Sequence, residues 1–275
     1  MLRVFLVFAL VAIGYQAAHA EVLEMNRAGP TCDPHLLTCT VIAQITGEIS
    51  ETTVTQLKGL IDRTRRKAEA SKSFFSFLAV ELNSPGGSVD AAMAIGRIVR
   101  ENEAGAFVNR GAICLSSCVL ALAGGSFRSF EGKIGIHRPY LPVPSGDVSA
   151  ESVKAAYQRT LQEVRAYLRE MNVVEGLADA MLRIDPENIR LLSEEELANY
   201  GLTPADPIAQ EKYDLQVAKS NGLDRQEYMR RKALAESRCG GPTSMGSNCY
   251  RSILKNGLPP PSQPIDFSQF GRPAD

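Results

Sequence analysis

The segment from Phe74 to Arg100 constrains the fold more than any other part of the chain. Residues 74–82 (FFSFLAVEL) form a continuous apolar run of strand length, and residues 83–87 (NSPGG) must then form a loop. From Ser88 onward, apolar residues return at helical spacing. A strand, a tight turn and a helix in this order form the first half of a crossover unit, which joins parallel strands.

The same alternation continues on both sides of this segment. Apolar and β-branched runs predict strands at 39–49, 106–108 and 133–137, and helical spacing predicts helices at 51–70, 114–123 and 149–171. Strands that alternate with helices predict an α/β fold with a mainly parallel sheet. After residue 206 the pattern changes to one helical stretch (208–236), a cysteine pair and a proline-rich tail. We therefore expect a main domain at 21–206 and a C-terminal extension at 207–275.

The first twenty residues have the features of a signal peptide. Arg3 gives a positive start, residues 4–13 form an apolar stretch, and Ala18-His19-Ala20 forms a small-x-small cleavage site. The apolar stretch is too short to span a membrane, which takes about 20 residues. The prediction is export to the periplasm or the extracellular space, cleavage near Ala20, and no stable membrane anchor.

The balance of charge excludes one class of partner. The chain has 30 Lys and Arg against 31 Asp and Glu, and no basic run stands out. Proteins that bind nucleic acid present a basic patch or stripe to the phosphate backbone. We therefore expect no nucleic-acid partner.

Six cysteines fit an oxidising compartment. They fall into three local pairs along the chain, and pairing between neighbours is the simplest of fifteen connectivities: Cys32 with Cys39, Cys114 with Cys118, and Cys239 with Cys249. A zinc site is the competing interpretation. Only His35 and His137 remain after the predicted cleavage and no CxxC motif occurs, so we expect no metal and no other cofactor.

Three short motifs could carry chemistry together. In NSPGGSV (83–89), glycine permits positive φ and a close approach of substrate to the backbone. Ser116, in the segment GAICLSSC (111–118), would usually be a helix cap or a core hydroxyl unless a base lies beside it. His137, in GIHRP (135–139), is the candidate base because imidazole titrates near neutral pH.

The order of these motifs resembles the proteolytic subunit of Clp proteases, within the ClpP/crotonase superfamily. SPGGSV is followed by a serine-bearing segment after a glycine, then by AGG-x-x-R, IH-x-P and a Leu-Ser pair, over about residues 40–206. The sequence is most similar to the exported, ATPase-free relatives, whose nucleophile motif is Cys-x-Ser-x-Cys. The resemblance implies a spiral of mainly parallel strands and helices, with the helical extension after it.

Carried over by position, the resemblance implies a serine peptidase. Ser116 would be the nucleophile, with Ser117 as the competing serine, and His137 the general base. The backbone N–H groups of Gly86 and Ser117 would form the oxyanion hole. Substrates would be peptides or unfolded polypeptides. Relatives form rings, so a homo-oligomer is also implied.

The third member of the catalytic triad stays open. Where the family has an aspartate shortly before the Leu-Ser pair, this chain has DPENI at 185–189. Asp185 could orient the imidazole and stabilise its cation, while Asn188 could only orient it. A Ser–His pair without a third member is the remaining option.

Three other functions compete with the peptidase. One is a catalytically inactive binding or scaffold protein on the same fold, because a fold does not define a function. A crotonase-type acyl-thioester enzyme would leave the serine and histidine unexplained. A relative of the signal-peptide peptidases would need a lysine base, and Lys133 does not match that position.

Overall fold

The computed structural model describes residues 21–24, 31–33, 38–140, 149–239 and 247–257. The chain divides into two compact units, the first ending at Asp206 and the second beginning at Pro207. The predicted signal peptide (1–20) and His35 lie outside the described residues, so export stays a prediction. Among the helices that the structure describes, none combines the length and apolar character needed to cross a membrane.

The first unit contains nine strands and six helices among its described residues. In chain order they are β1 (Glu21–Glu24), β2 (Thr31–Asp33), β3 (Thr38–Thr46), α1 (Glu51–Ala70), β4 (Phe74–Asn83), α2 (Val89–Glu101), β5 (Gly105–Val108), β6 (Ile113–Leu115), α3 (Cys118–Ala123), β7 (Phe127–Phe130), β8 (Lys133–Ile136), α4 (Ala150–Glu170), α5 (Gly176–Leu182), β9 (Arg190–Leu191) and α6 (Glu194–Asn199).

Parallel pairing dominates the larger sheet. Its strands follow the order β1-β3-β4-β5-β7, with β2 also paired to β3. The pairs β3–β4, β4–β5 and β5–β7 are parallel, whereas β1 and β2 each pair antiparallel with β3. A second sheet joins β6 in parallel to β8, which pairs antiparallel with β9. The prediction of an α/β fold with a mainly parallel sheet is confirmed.

The sheet forms because its strands bury alternate residues under amphipathic helices. In β3 every second side chain is buried, from Cys39 to Ile45. Helix α1 has one buried face, formed by residues that include Val54, Leu57, Leu60 and Ile61. Because β3 and β4 run parallel and in register from Thr40, their carboxyl ends lie side by side. The turns that follow the two strands are thereby brought together.

A buried network of charged side chains includes Asp206, the last residue of the first unit. The carboxylate of Asp206 is fully buried and lies 3.3 Å from a guanidinium nitrogen of Arg100 and 4.0 Å from one of Arg128. Arg128 also donates to the carbonyls of Ala123 (2.8 Å) and Thr203 (3.2 Å). Burial, with Arg100 nearby, lowers the pKa of Arg128 to about 10.

The second unit contains α7 (Pro207–Ser220), α8 (Arg225–Arg238) and α9 (Asn248–Asn256) among its described residues. The prediction of a single helical stretch at 208–236 is wrong, because the helix stops at Ser220 and a new one begins at Arg225. Gly222 adopts φ of 67°, and the Asp224 side chain caps α8 by accepting from the Glu227 N–H. A small core of Ala218, Tyr228, Ala235, Tyr250 and Leu254 holds the unit together.

The three neighbouring cysteine pairs are bonded. The Cα atoms of Cys32 and Cys39 are 4.0 Å apart, those of Cys114 and Cys118 5.2 Å, and those of Cys239 and Cys249 5.9 Å. Cys32 and Cys39 are direct cross-strand partners of β2 and β3. Pairing between neighbours is therefore confirmed, and no group of side chains suited to a metal ion occurs among the described residues.

Candidate active site

Ser116 lies on a tight turn between a strand and a helix. We predicted one buried helix for 114–123, and this is wrong: Cys114 pairs with Ile134 inside the second sheet, and α3 begins only at Cys118. Ser116 adopts φ of 57°, in the left-handed region. Non-glycine residues are uncommon there, and the conformation costs about 1–2 kcal/mol. Nucleophilic serines of α/β hydrolases are exposed on a similarly strained strand-to-helix turn.

Contacts on both sides hold this turn in place. The Ser116 N–H donates to the carbonyl of Gly135 (2.9 Å), and the Ser117 hydroxyl donates to the carbonyl of Gly87 (3.1 Å). The disulfide between Cys114 and Cys118 links the residues two before and two after Ser116, and both cysteines are fully buried. The strained conformation is therefore fixed by neighbours from two other segments and by a covalent bond.

The loop of residues 83–88 packs directly against the serine turn. A Cβ atom built on Gly86 would lie 2.7 Å from the Ser116 Cβ and 3.2 Å from the Ser117 nitrogen. A Cβ atom on Gly87 would lie 2.2 Å from the carbonyl oxygen of Ile49. Both glycines have positive φ, 108° and 141°. Only glycine fits this approach of two backbones, as the NSPGG motif led us to expect.

The amide groups around Ser116 differ in their hydrogen bonds. The Gly86 N–H donates to the Ser84 hydroxyl at 3.0 Å, so it could join an oxyanion hole only by giving up that bond. Ile49 bonds to the Gly86 carbonyl and the Ser88 N–H, which flank Gly87. Among the described residues, the N–H groups of Gly87 and Ser117 have no acceptor. Gly87 was not among the predicted oxyanion donors, although it is the second glycine of the NSPGG motif.

His137 follows β8 and lines the same cavity as Ser116. The cavity has a volume of about 700 Å³, and its wall includes Gly86, Gly87 and Thr160. The histidine side chain is partly buried, and its Nδ1 atom is buried with no hydrogen-bond partner among the described residues. No hydrogen bond joins Ser116 to His137 in this structure. The two residues thus line one cavity without a hydrogen bond between them.

Asp185 and Asn188 are not hydrogen-bonded to the histidine. The Asp185 carboxylate pairs with the Arg138 guanidinium at 3.2 Å, and the two side chains are 68% and 42% exposed. Asn188 is exposed, and its N–H donates to the Asp185 carbonyl. The segment 185–189 therefore forms its own turn, and its acidic side chain faces an arginine.

Helix α4 contributes to the cavity from a distant part of the chain. Thr160 lines the cavity, and the hydroxyl of Tyr157, one helical turn earlier, is buried with no partner among the described residues. Burial raises the pKa of Tyr157, and the nearby Arg138 partly opposes this. Helix α4 was predicted from its spacing, but its place at the cavity was not, because no motif marks Tyr157 or Thr160 in the sequence.

Comparison with known proteins gives structural similarity only. No protein-family model matches the chain, and no curated protein sequence does either. Two solved structures of the membrane-bound stomatin-specific protease 1510-N are similar in structure. The first, a serine-to-alanine mutant, is 22% identical, covers 66% of this chain and 84% of its own, and has a TM-score of 0.41. The second, a lysine-to-alanine mutant in complex with a substrate peptide, is 24% identical, covers 66% and 80%, and has a TM-score of 0.43.

Proposed function

We propose that the chain is an exported, ATP-independent serine peptidase with Ser116 as nucleophile and His137 as general base. The observation that carries the proposal is the turn itself: a serine with φ of 57° between β6 and α3, on the wall of a cavity that also contains a histidine. Strain of this kind persists only where the surrounding structure enforces it, and it is concentrated at functional sites. Peptide bonds are the substrate that the resemblance to Clp proteases implies.

The proposed reaction is acyl transfer to water. His137 takes the proton of the Ser116 hydroxyl as the oxygen attacks the carbonyl carbon, and later gives that proton to the leaving amine. Water then attacks the acyl-enzyme in a second step of the same kind. The developing oxyanion would be held by the N–H groups of Ser117 and Gly87, since Gly86 donates to Ser84.

We further propose that the catalytic group is a Ser–His pair without an acid. Asp185 is paired with Arg138, and the Nδ1 atom of His137 has no acceptor among the described residues. A third residue normally fixes the tautomer of the imidazole and stabilises its cation. We therefore expect turnover slower than that of a complete triad, and little effect from Asp185→Asn or Asn188→Ala.

Export is supported by the cysteines. All six are bonded in three disulfides, and such bonds persist in oxidising compartments such as the bacterial periplasm. The signal peptide at residues 1–20 is part of the proposal. No ATP-binding G-x-x-x-x-G-K-[ST] motif occurs in the sequence, so short peptides or unfolded chains are the expected substrates.

Labelling with a fluorophosphonate tests the proposal. Protein beginning at Glu21, with its disulfides intact, is treated with the probe beside Ser116→Ala, Ser117→Ala and His137→Ala. We expect labelling that requires Ser116 and His137 and survives Ser117→Ala. Ser117→Ala is the matched control, because it removes the adjacent hydroxyl, with its bond to the Gly87 carbonyl, but keeps the Ser117 N–H and the proposed nucleophile.

The outcome separates the peptidase from the binding protein. If folded wild-type protein is not labelled, Ser116 is not an activated nucleophile and the peptidase hypothesis is wrong. The lack of an acid partner for His137 among the described residues favours this alternative, an inactive, Clp-like scaffold. Circular dichroism on each variant establishes that a loss of labelling is not a loss of folding.

A further inference from the structure

The second unit contains a groove of its own, with a volume of about 360 Å³. Helices α7, α8 and α9 each contribute to it, and its wall includes three tyrosines and two aliphatic residues: Tyr213, Tyr228, Tyr250, Val217 and Leu254. Tyr228 and Tyr250 belong to the small core of the unit, whereas Tyr213 is 41% exposed. This tyrosine groove therefore extends from an aromatic core to the surface.

Buried contacts and a covalent bond preform the tyrosine groove. The Tyr228 hydroxyl donates to the buried carboxylate of Asp214 at 3.0 Å, and the Lys232 ammonium group donates to the same carboxylate at 2.8 Å. The disulfide between Cys239 and Cys249 joins the end of α8 to the first turn of α9. A groove whose walls are already fixed loses little conformational entropy when a ligand binds.

Two cations on the wall of the tyrosine groove have no counter-charge among the described residues. Arg251 and Lys255 line the groove from α9, both are exposed, and neither forms an ion pair with a described residue. The Arg251 side chain donates to the neutral Asn248 side chain at 2.8 Å. None of the described residues that line the groove is acidic. The groove thus favours an apolar occupant that also brings a carboxylate.

The chain leaves α9 beside the tyrosine groove. Lys255 lines the groove, α9 ends at Asn256, and Gly257 follows with φ of 69°. The Arg231 guanidinium donates to the carbonyls of Leu254 (2.8 Å) and Lys255 (3.0 Å), which attaches the end of α9 to α8. The next residues of the chain therefore start at the edge of the groove.

The sequence of the tail matches the chemistry of this groove. Residues 258–275 lie outside the described residues, and they begin with LPPPSQPIDF (258–267). Consecutive prolines favour the polyproline II conformation, and aromatic-lined grooves bind such segments because little entropy remains to be lost. Only four residues separate Lys255 from Pro259, a span of at most about 13–14 Å. Asp266 supplies a carboxylate within the same stretch.

We propose that residues 258–267 dock in the tyrosine groove of their own chain. The prolines contact the tyrosines, and Asp266 approaches Arg251 and Lys255. Because the tail is attached at the edge of the groove, its effective concentration there is in the millimolar range. If the free peptide binds with a Kd of about 100 μM, an effective concentration of about 1 mM keeps the tail docked about ten times more often than undocked.

Competition between the tail and a free peptide tests this proposal in the full chain. The protein begins at Glu21, ends at Asp275 and keeps its disulfides. The probe is a peptide of residues 258–267 with a neutral fluorophore, and fluorescence anisotropy gives its Kd. Wild-type protein is compared with a serine-tail variant that carries Pro259→Ser, Pro260→Ser and Pro261→Ser. The serine-tail variant should bind the probe about ten-fold more tightly, because its own tail no longer competes.

Two substitutions on α7 locate the binding site of the probe. Tyr213→Ala, in the serine-tail background, removes an aromatic wall of the groove and should weaken binding of the probe about five-fold or more. Leu215→Ala is the matched control, because Leu215 lies on the same helix, is 46% exposed and does not line the groove. It should leave the Kd unchanged. Circular dichroism establishes that both variants are folded.

Three results would overturn the proposal. Equal affinity of wild-type and serine-tail protein for the probe, or no binding to either, would show that the tail does not occupy the groove. An equal loss in Tyr213→Ala and Leu215→Ala would place the peptide elsewhere. Sedimentation should show that wild-type and serine-tail protein have the same oligomeric state. An assembly that only the wild-type protein forms would mean that the tail docks in a second copy instead.

Discussion

Replacing Asp206 by asparagine removes the only negative charge from the buried network described above. The side chains of Asp206 and Arg128 are fully buried, and that of Arg100 is 23% exposed. The change keeps the shape of the residue but leaves two guanidinium groups without a counter-charge. Removing one partner of a buried ion pair lowers the free energy of unfolding by about 3–5 kcal/mol, because the charge left behind is desolvated and uncompensated.

The expected loss of stability can be measured directly. For a unit of this size, each kcal/mol corresponds to about 2–4 °C in Tm, so Asp206→Asn should lower the Tm by about 6–20 °C. Urea unfolding followed by circular dichroism gives the free energy of unfolding. The control is Asp179→Asn, which breaks the pair with Arg165 at 2.6 Å, where the side chains are 49% and 35% exposed. That exposed pair should be worth less than about 1 kcal/mol.

A double variant tests the mechanism as well as the magnitude. Arg128→Met removes the buried cation, so adding Asp206→Asn to it should cost less than Asp206→Asn alone. We expect the two changes together to be less destabilising than their sum by about 1–3 kcal/mol. If Asp206→Asn costs no more than Asp179→Asn, or if the two changes add without coupling, the network does not stabilise the fold as argued.

Two further predictions concern the serine turn. Replacing Cys114 and Cys118 by alanine opens a short loop, and the chain-entropy estimate for so small a loop is about 2 kcal/mol; we expect that loss in urea unfolding, together with slower fluorophosphonate labelling, and equal labelling rates would show that the disulfide does not hold the turn. Gly87→Ala places a Cβ 2.2 Å from the Ile49 carbonyl oxygen at φ of 141°, so it should destabilise the fold by more than the roughly 1–3 kcal/mol of backbone strain alone and abolish labelling. Gly111→Ala is its control, with φ of 84° and open space around the Cβ, and a similar loss in both variants would contradict the steric argument.

The local sequence pattern was sufficient to predict the bounds of a helix or strand wherever that element is long or strongly periodic. Helix α1 has the bounds that its spacing predicted. Each end of α2, α4 and β4 lies within one residue of its predicted position. Each of these elements carries its own signal, an apolar stripe or an apolar run bounded by turn residues. The small helices α5 and α6 were missed, because six or seven residues are too few to show a period.

Two errors have different physical causes. The break between α7 and α8 was visible in the sequence as Asn221-Gly222 followed by Asp224, a positive-φ residue and a helix cap, and these local signals were overlooked. The division of 114–123 was not visible. Most residues of this stretch are small or apolar and none marks a boundary, whereas in the structure Cys114 belongs to a strand that pairs with β8.

The sequence by itself determined the α/β class, which follows from the alternation of apolar runs and helical spacing. It also gave the pairing of neighbouring cysteines as the simplest connectivity, and Ser116 and His137 as the residues to which the resemblance to Clp proteases points. Tertiary structure alone decided that Ser116 has positive φ and that Asp185 faces Arg138. These features depend on contacts between segments that are far apart in the chain and meet only when the sheets form.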